Sequence, residues 1–211
     1  MPENTALKEW SEIEPQLEIA DIILVHGADF LSRAIQRRSE SYWNHVALVL
    51  QPPHFELGIK GAFIIGAIDS GIEVHRLRKY SEQPDIFTLG VKRFPGLTDD
   101  ARKNIISFLL NQIDAPYDYT RLFGYLFENA LKTCLPRSLF KKVRRSILTS
   151  QPDSFVCSTF IQKAFFESVP KKLQTNTFAR ENLKSLAELD QTTPADFARS
   201  TNYEWIHNPH L

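Results

Sequence analysis

The sequence predicts an α+β fold. Short apolar runs rich in Ile and Val, each closed by a Gly, Pro or Asp turn signal, crowd the stretch before residue 95. Helical periodicity takes over after Thr98. Strands gathered first and helices later are the pattern of α+β packing, not of alternating βαβ units.

Taken in order, residues 1–18 form a lead-in, helical around Thr5–Ile13. Ile19–His26 is a buried strand bounded by Gly27. Ala28–Arg38 spaces Phe30, Leu31, Ala34 and Ile35 for one face of a helix. Trp43–Gln51 is a second buried strand, stopped by Pro52-Pro53. Ala62–Ile68 and Gly71–Leu77 make a third and fourth, joined at Asp69-Ser70-Gly71. Phe87–Arg93 is a fifth, ended by Pro95-Gly96. Thr98-Asp99-Asp100 caps a helix that carries Ala101, Ile105, Ile106, Leu109 and Ile113. Tyr117–Leu148 reads as mostly helical with a break at Pro136, and Asp153-Ser154 opens a helix running to about Ser168. Residues 170–211 are loop with one helix and an extended piece near Tyr203–Ile206. Without repeats, low-complexity tracts or a linker, residues 1–211 read as one domain with a helical basic insertion near 120–150.

The composition narrows the function. Lys+Arg 25 against Asp+Glu 25 gives no net charge, which excludes a polyanion binder working through bulk charge; no nucleic-acid partner is expected. The 15 Phe, 6 Tyr and 3 Trp supply a core without disulfide staples, and Cys134 and Cys157 alone make no secreted disulfide framework. No apolar run approaches the roughly 20 residues of a membrane-crossing helix. The polar, acidic N-terminus is unlike a signal peptide, so a cytoplasmic location is expected unless a leader was removed.

Cys157 leads the candidates for chemistry. In Asp153-Ser-Phe-Val-Cys-Ser-Thr-Phe-Ile, an N-cap at Ser154 puts Cys157 in the first helical turn. Free N–H groups and the positive end of the helix dipole there stabilise a thiolate and lower the thiol pKa. The competing reading is a small buried core residue. His45 is its natural partner: it opens an apolar strand, a rigid element separate from the Cys157 helix. A satisfied structural histidine is the alternative there. His26 is a weaker rival at a strand end, and His54, His75, His207 and His210 read as loop or surface residues. No two His or Cys stand at ligand spacing, so neither a metal nor an organic cofactor is expected.

Four segments in order resemble the circularly permuted papain-like branch of the NlpC-type cysteine peptidase superfamily, the YiiX/YaeF-like proteins. They are Asp21-Ile-Ile-Leu-Val with Ser32-Arg-Ala-Ile-Gln; Trp43-Asn-His-Val-Ala-Leu-Val; Ala115-Pro-Tyr-Asp-Tyr119 ahead of Phe155-Val-Cys-Ser-Thr-Phe-Ile; and Thr193-Pro-Ala-Asp-Phe-Ala-Arg-Ser200. They span about residues 20–205, with His before Cys, as permutation of a papain-like core requires. The resemblance implies a small antiparallel, barrel-like sheet packed against helices. Cys157 would attack a carbonyl, His45 would carry the proton, the Cys157 N–H would serve as oxyanion donor, and water would release the acyl-enzyme.

The third catalytic member departs from the family pattern. Relatives often carry a Glu on the strand after the histidine strand; anchoring on Gly71-Ile72 places Gly66 there, and glycine cannot orient an imidazole. Asp69 is a substitute only if the strand bulges, and more simply forms the Asp-Ser-Gly turn; Glu56 is more distant. Tyr117-Asp118 matches the family's Tyr-Asp pair, with Tyr117 either lining the cleft or only packing. Ser32 and Arg33 match without an evident catalytic role. Apart from the resemblance, Lys132, Arg137, Lys141, Lys142, Arg144 and Arg145 lie beside Phe140, Val143 and Ile147, an amphipathic pattern suited either to an anionic membrane surface, through 132–147, or to a solvated face packed on the core. The expected activity is a thiol hydrolase cleaving an amide bond in a peptide, a cell-wall (peptidoglycan-like) peptide or a lipid-linked substrate. Its rivals are a lipid acyltransferase of the lecithin:retinol type and an inactive binding module.

Overall fold

The structure, a computed structural model, describes residues 10–119, 156–170 and 191–210, together with Leu122, Leu126, Pro136, Ser138, Leu139 and Leu189. Cys134, the cap candidate Ser154 and nearly all of the basic insertion lie outside the described residues.

Six strands form one antiparallel sheet: β1 (Ile22–Gly27), β2 (His45–Gln51), β3 (Phe63–Ile68), β4 (Gly71–Arg76), β5 (Phe87–Arg93) and β6 (Glu204–His207), in the order β4-β3-β2-β1-β5-β6. The sheet is open, with β4 and β6 at its edges, where a barrel-like closure was expected. Around it lie α1 (Phe30–Ser39), the single turn α2 (Arg78–Ser81), α3 (Asp99–Leu110), α4 (Cys157–Ser168) and α5 (Pro194–Arg199).

β1 is a continuous apolar run because it is covered on both sides; Ile22, Ile23, Leu24 and Val25 are all buried. Alternation along the strands sorts the core into two layers. Leu24, Val46, Leu48 and Ile65 pack under α3 and α4, against Ile105, Phe160 and Phe165. Ile23, Ala47, Val49 and Ile64 face the other way, toward Trp10, Leu17 and Tyr80. The Thr98 side chain accepts from the Ala101 N–H and caps α3, as the sequence predicts.

α1 departs from expectation. Its spacing predicts an inward face of Phe30, Leu31, Ala34 and Ile35, yet Phe30 is 89% exposed and the residue it buries is Ser32. A polar network causes this. Asp29 caps the helix and binds the Ser32 hydroxyl, and Asn44 donates to that hydroxyl at 2.9 Å. Gly27 N–H in turn donates to Asn44 Oδ1 at 2.6 Å, and Gln36 donates to the Gly27 carbonyl at 2.9 Å. Buried polar groups must be partnered, so the network, not the apolar stripe, sets the helix's rotation. It also ties the end of β1 to the start of β2.

Two further anchors frame the sheet. Arg93 holds buried Asp21 through two 2.7 Å bonds and Glu18 through one of 2.6 Å, closing the far end of β1. Lys92, buried in β5, donates to the carbonyls of Phe197, Ala198 and Ser200 at 3.1, 3.0 and 2.6 Å. It therefore satisfies the C-terminal end of α5, where the helix leaves carbonyls unpaired. Burial lowers its pKa to about 8.

Candidate active site

α4 starts at Cys157, with Val156 as N-cap in place of the expected Ser154; the Thr159 hydroxyl accepts from the Val156 N–H at 3.3 Å and donates back to its carbonyl at 3.0 Å. Cys157 is thus the first helical residue. The helix lies across β2 and β3, and Cys157 is buried. Its thiol faces the backbone N–H groups of Val46, of Ser158 and of its own residue. Val46 follows His45 directly, so the thiol meets β2 one residue from the imidazole.

Those amides pull the thiol pKa down, but burial outweighs them and pushes it up to about 11. This corrects the expectation of a lowered thiol pKa: the helix start is sealed, and desolvation of the anion wins over the dipole. Burial likewise lowers His45 to about 4, with His75 and Lys79 adding to the shift. Thiol and imidazole are therefore both uncharged at neutral pH; Cys157 packs with Val46 on one face of β2, while His45 points to the Ala47 face.

His45 alternates with Val46 and so lies on the sheet face of Ala47, toward Tyr80, whose ring centroid is 6.4 Å away. Its Nε2 is sealed from solvent and has no hydrogen-bond partner. It sits above Gly66, where a β-carbon would stand 3.6 Å from it. A β-carbon there would also stand 3.2 Å from that of Ala47, so Gly66 offers the imidazole no side chain and little room for one. Asp69 is exposed in the β3–β4 turn, where its carboxylate accepts from the Ser70 N–H at 3.1 Å. Glu56 is exposed in a short helical turn, Phe55–Leu57, beyond the end of β2. Neither hydrogen-bonds to His45 Nε2.

A pocket of about 50 Å³ opens beside the thiol, walled by Cys157, Ile35, Asn44, Tyr117, Val156 and Thr192, among others. Tyr117 is among the residues that line it. Gly71 makes this possible: at φ 126 it turns the chain between β3 and β4, and a β-carbon there would come within 2.7 Å of the Ala115 carbonyl. Ile72 and the 114–115 segment consequently exchange bonds of 3.0 and 3.2 Å, which seats Tyr117. On the opposite wall the Ser158 hydroxyl donates to the Thr192 carbonyl at 2.6 Å.

Sequence reading missed three contributors. Asn44 supports the histidine strand and walls the pocket; Ser32 and Gln36, one helical turn apart in the matched segment, were the available signal. His75, expected at the surface, has both ring nitrogens buried without partners. Tyr80 lies against both His45 and His75.

A helix-borne cysteine following a strand-borne histidine in the chain, over an antiparallel sheet, defines the permuted papain-like class of enzymes. The chain belongs to the family described as permuted papain-like amidases, YaeF/YiiX, C92, whose model matches residues 16–128. That span contains His45 and Gly66 and ends before Cys157. Among solved structures, the chain is similar to the metalloprotein YiiX from Escherichia coli O157:H7, with a TM-score of 0.58 and 13% identity over 92% of this chain and 98% of that one. At that identity the likeness establishes the fold alone. No curated protein matches the chain. Although YiiX is described as a metalloprotein, no three His, Cys, Asp or Glu among the residues described here group to hold a metal ion, so no step below runs through one.

Proposed function

We propose that the protein hydrolyses an amide bond with Cys157 as nucleophile and His45 as its base. The observation that carries this is the placement of the Cys157 thiol at a helix start, against the strand amide next to His45. The thiol proton passes to the imidazole as sulfur attacks the carbonyl carbon, and the Cys157 N–H stands ready for the developing oxyanion. The C–N bond then breaks, the amine leaves with the proton held by His45, and water cleaves the thioester to return the thiol.

The substrate is a peptide, a peptidoglycan-like peptide or a lipid-linked amide. Ile35 and Val156 in the pocket wall suit an apolar acyl side. The same wall favours a second reading, in which a lipid acceptor replaces water, as in lecithin:retinol-type acyltransferases. In either reading the basic stretch 132–147 serves as a contact for an anionic membrane surface from the cytoplasmic side. The test is a panel of peptides, muropeptides and N-acyl amino acids, with amine release and acylated Cys157 followed by mass spectrometry. Release and a Cys157 adduct lost in both Cys157→Ala and His45→Ala support the mechanism; undiminished release in Cys157→Ala overturns it. Acyl transfer to an added lipid alcohol would select the second reading.

A further inference from the structure

The apolar stripe of α1 faces solvent beside the pocket, and its surroundings fit a lipid surface. We propose that α1 docks the protein on an anionic bilayer, Phe30 and Leu31 entering the acyl boundary while Arg33 and Arg37 meet lipid phosphates, so that a lipid-linked amide reaches the pocket along the helix. The docking stands on α1 alone; delivery of substrate rests on the Cys157/His45 reading.

Burial and spacing define the stripe. Phe30 is 89% exposed and Leu31 37%, while Ala34 and Ile35 are half-buried. Phe30 with Ala34, and Leu31 with Ile35, stand one helical turn apart, so the four share one side of α1. Their outward rotation is fixed from the other side, where Ser32 and Gln36 are held by Asn44 and by the Gly27 carbonyl. Ile35 also walls the pocket that Cys157 lines. The stripe therefore runs from an exposed tip to the rim of the candidate site. Scattered apolar side chains on a surface need no explanation, but adjacent ones that lead to a site mark a docking face.

Charge selects the occupant. α1 carries Arg33, Arg37 and Arg38 and no acidic residue, in a chain of zero net charge. Arg33 and Arg37 are exposed and follow Phe30 by about one and two turns, on its side of the helix. Of the acidic residues at the two ends, Asp29 is held at the N-cap by the Ser32 N–H and hydroxyl, and Glu40 is the C-cap. Arg199 brings a further positive charge to that end, donating to the Ser39 and Glu40 carbonyls at 3.2 and 2.6 Å. Phe and Leu on a helix edge with arginines beside them are the composition of a segment that lies in the plane of an anionic membrane interface. A protein groove would accommodate the stripe without using the flanking arginines.

The experiment is co-sedimentation of the full chain, carrying Cys157→Ala so that nothing is turned over, with phosphatidylcholine vesicles that contain or lack phosphatidylglycerol. This parent protein is expected to bind the anionic vesicles, more weakly as salt rises. Phe30→Ser should lower the partition about tenfold, and Arg33→Gln with Arg37→Gln about 25-fold, at about fivefold per arginine. Anionic-vesicle binding equal to the parent in both variants, or no binding by the parent, overturns the inference. Self-association that Phe30→Ser abolishes while vesicle binding persists also overturns it and assigns the face to a second copy. Hydrolysis then separates docking from chemistry. With Cys157 intact, an N-acyl amino acid embedded in anionic vesicles should be cleaved faster by wild type than by Phe30→Ser, and a soluble short-chain amide equally by both. Equal cleavage of the embedded substrate overturns the delivery. If wild type cleaves neither substrate, the hydrolase reading fails and the docking result stands.

Discussion

The thiol of Cys157 faces the backbone N–H of Val46, the residue that follows His45 in β2. The proposed nucleophile and base thus come from different layers, α4 and the sheet, and each is the first residue of its element. On the proposed mechanism, an uncharged pair moves its proton during attack and does not wait as a preformed thiolate.

Replacing the sulfur removes the chemistry and leaves the scaffold. Cys157→Ala is expected to reduce amide hydrolysis by about three orders of magnitude or more, with an unchanged circular dichroism spectrum. Comparing amine release at matched protein concentration checks it.

Acid should weaken the fold through the two buried histidines. His45 and His75 have folded pKa values of about 4 against 6.5 for a free imidazole. Between those values the unfolded chain binds more protons, so stability rises with pH through the window and is lost as pH falls from about 6.5 toward 4. At ~1.4 kcal/mol per pKa unit, His45 alone accounts for roughly 3 kcal/mol. Urea midpoints measured from pH 7 to 4 should fall steeply in wild type and less steeply in His45→Gln.

Lys92 holds the segment that carries the pocket wall. Lys92→Met strands the carbonyls of Phe197, Ala198 and Ser200 and should cost about 1–3 kcal/mol by urea unfolding. Because Thr192 and Pro194 enter the pocket just ahead of that anchor, KM should rise more than kcat falls.

The network under β2 makes a separate forecast. Asn44→Leu leaves the Gly27 N–H and the Ser32 hydroxyl without their partner, which predicts about 1–3 kcal/mol of lost stability by thermal unfolding. A midpoint equal to wild type would show that the network does not hold β2 in place.

Much of this was legible in the sequence because it is written in local patterns. Strand runs such as Phe63–Ile68 and Phe87–Arg93 end where their Gly, Pro and Asp signals say, and Thr98 caps its helix. The order of His45 and Cys157 and the gap at Gly66 were equally visible. What escaped was set by tertiary registration. Phe30 is exposed because Asp29, Ser32 and Asn44 outweigh an apolar stripe of side chains. The thiol pKa rises because burial, which no local pattern reports, exceeds the helix-start amides. His75 reads as surface until β3–β4 pairing places it on the face of Gly66.

The most direct test of the central claim is the pH dependence of Cys157 alkylation by iodoacetamide, wild type against His45→Ala, read by peptide mass spectrometry. With His45 as base, the wild-type rate should be level above pH 4 and fall below it, as the imidazole protonates. In His45→Ala reaction should appear only as pH climbs toward the thiol pKa of about 11. Superimposable curves for the two proteins would contradict the account.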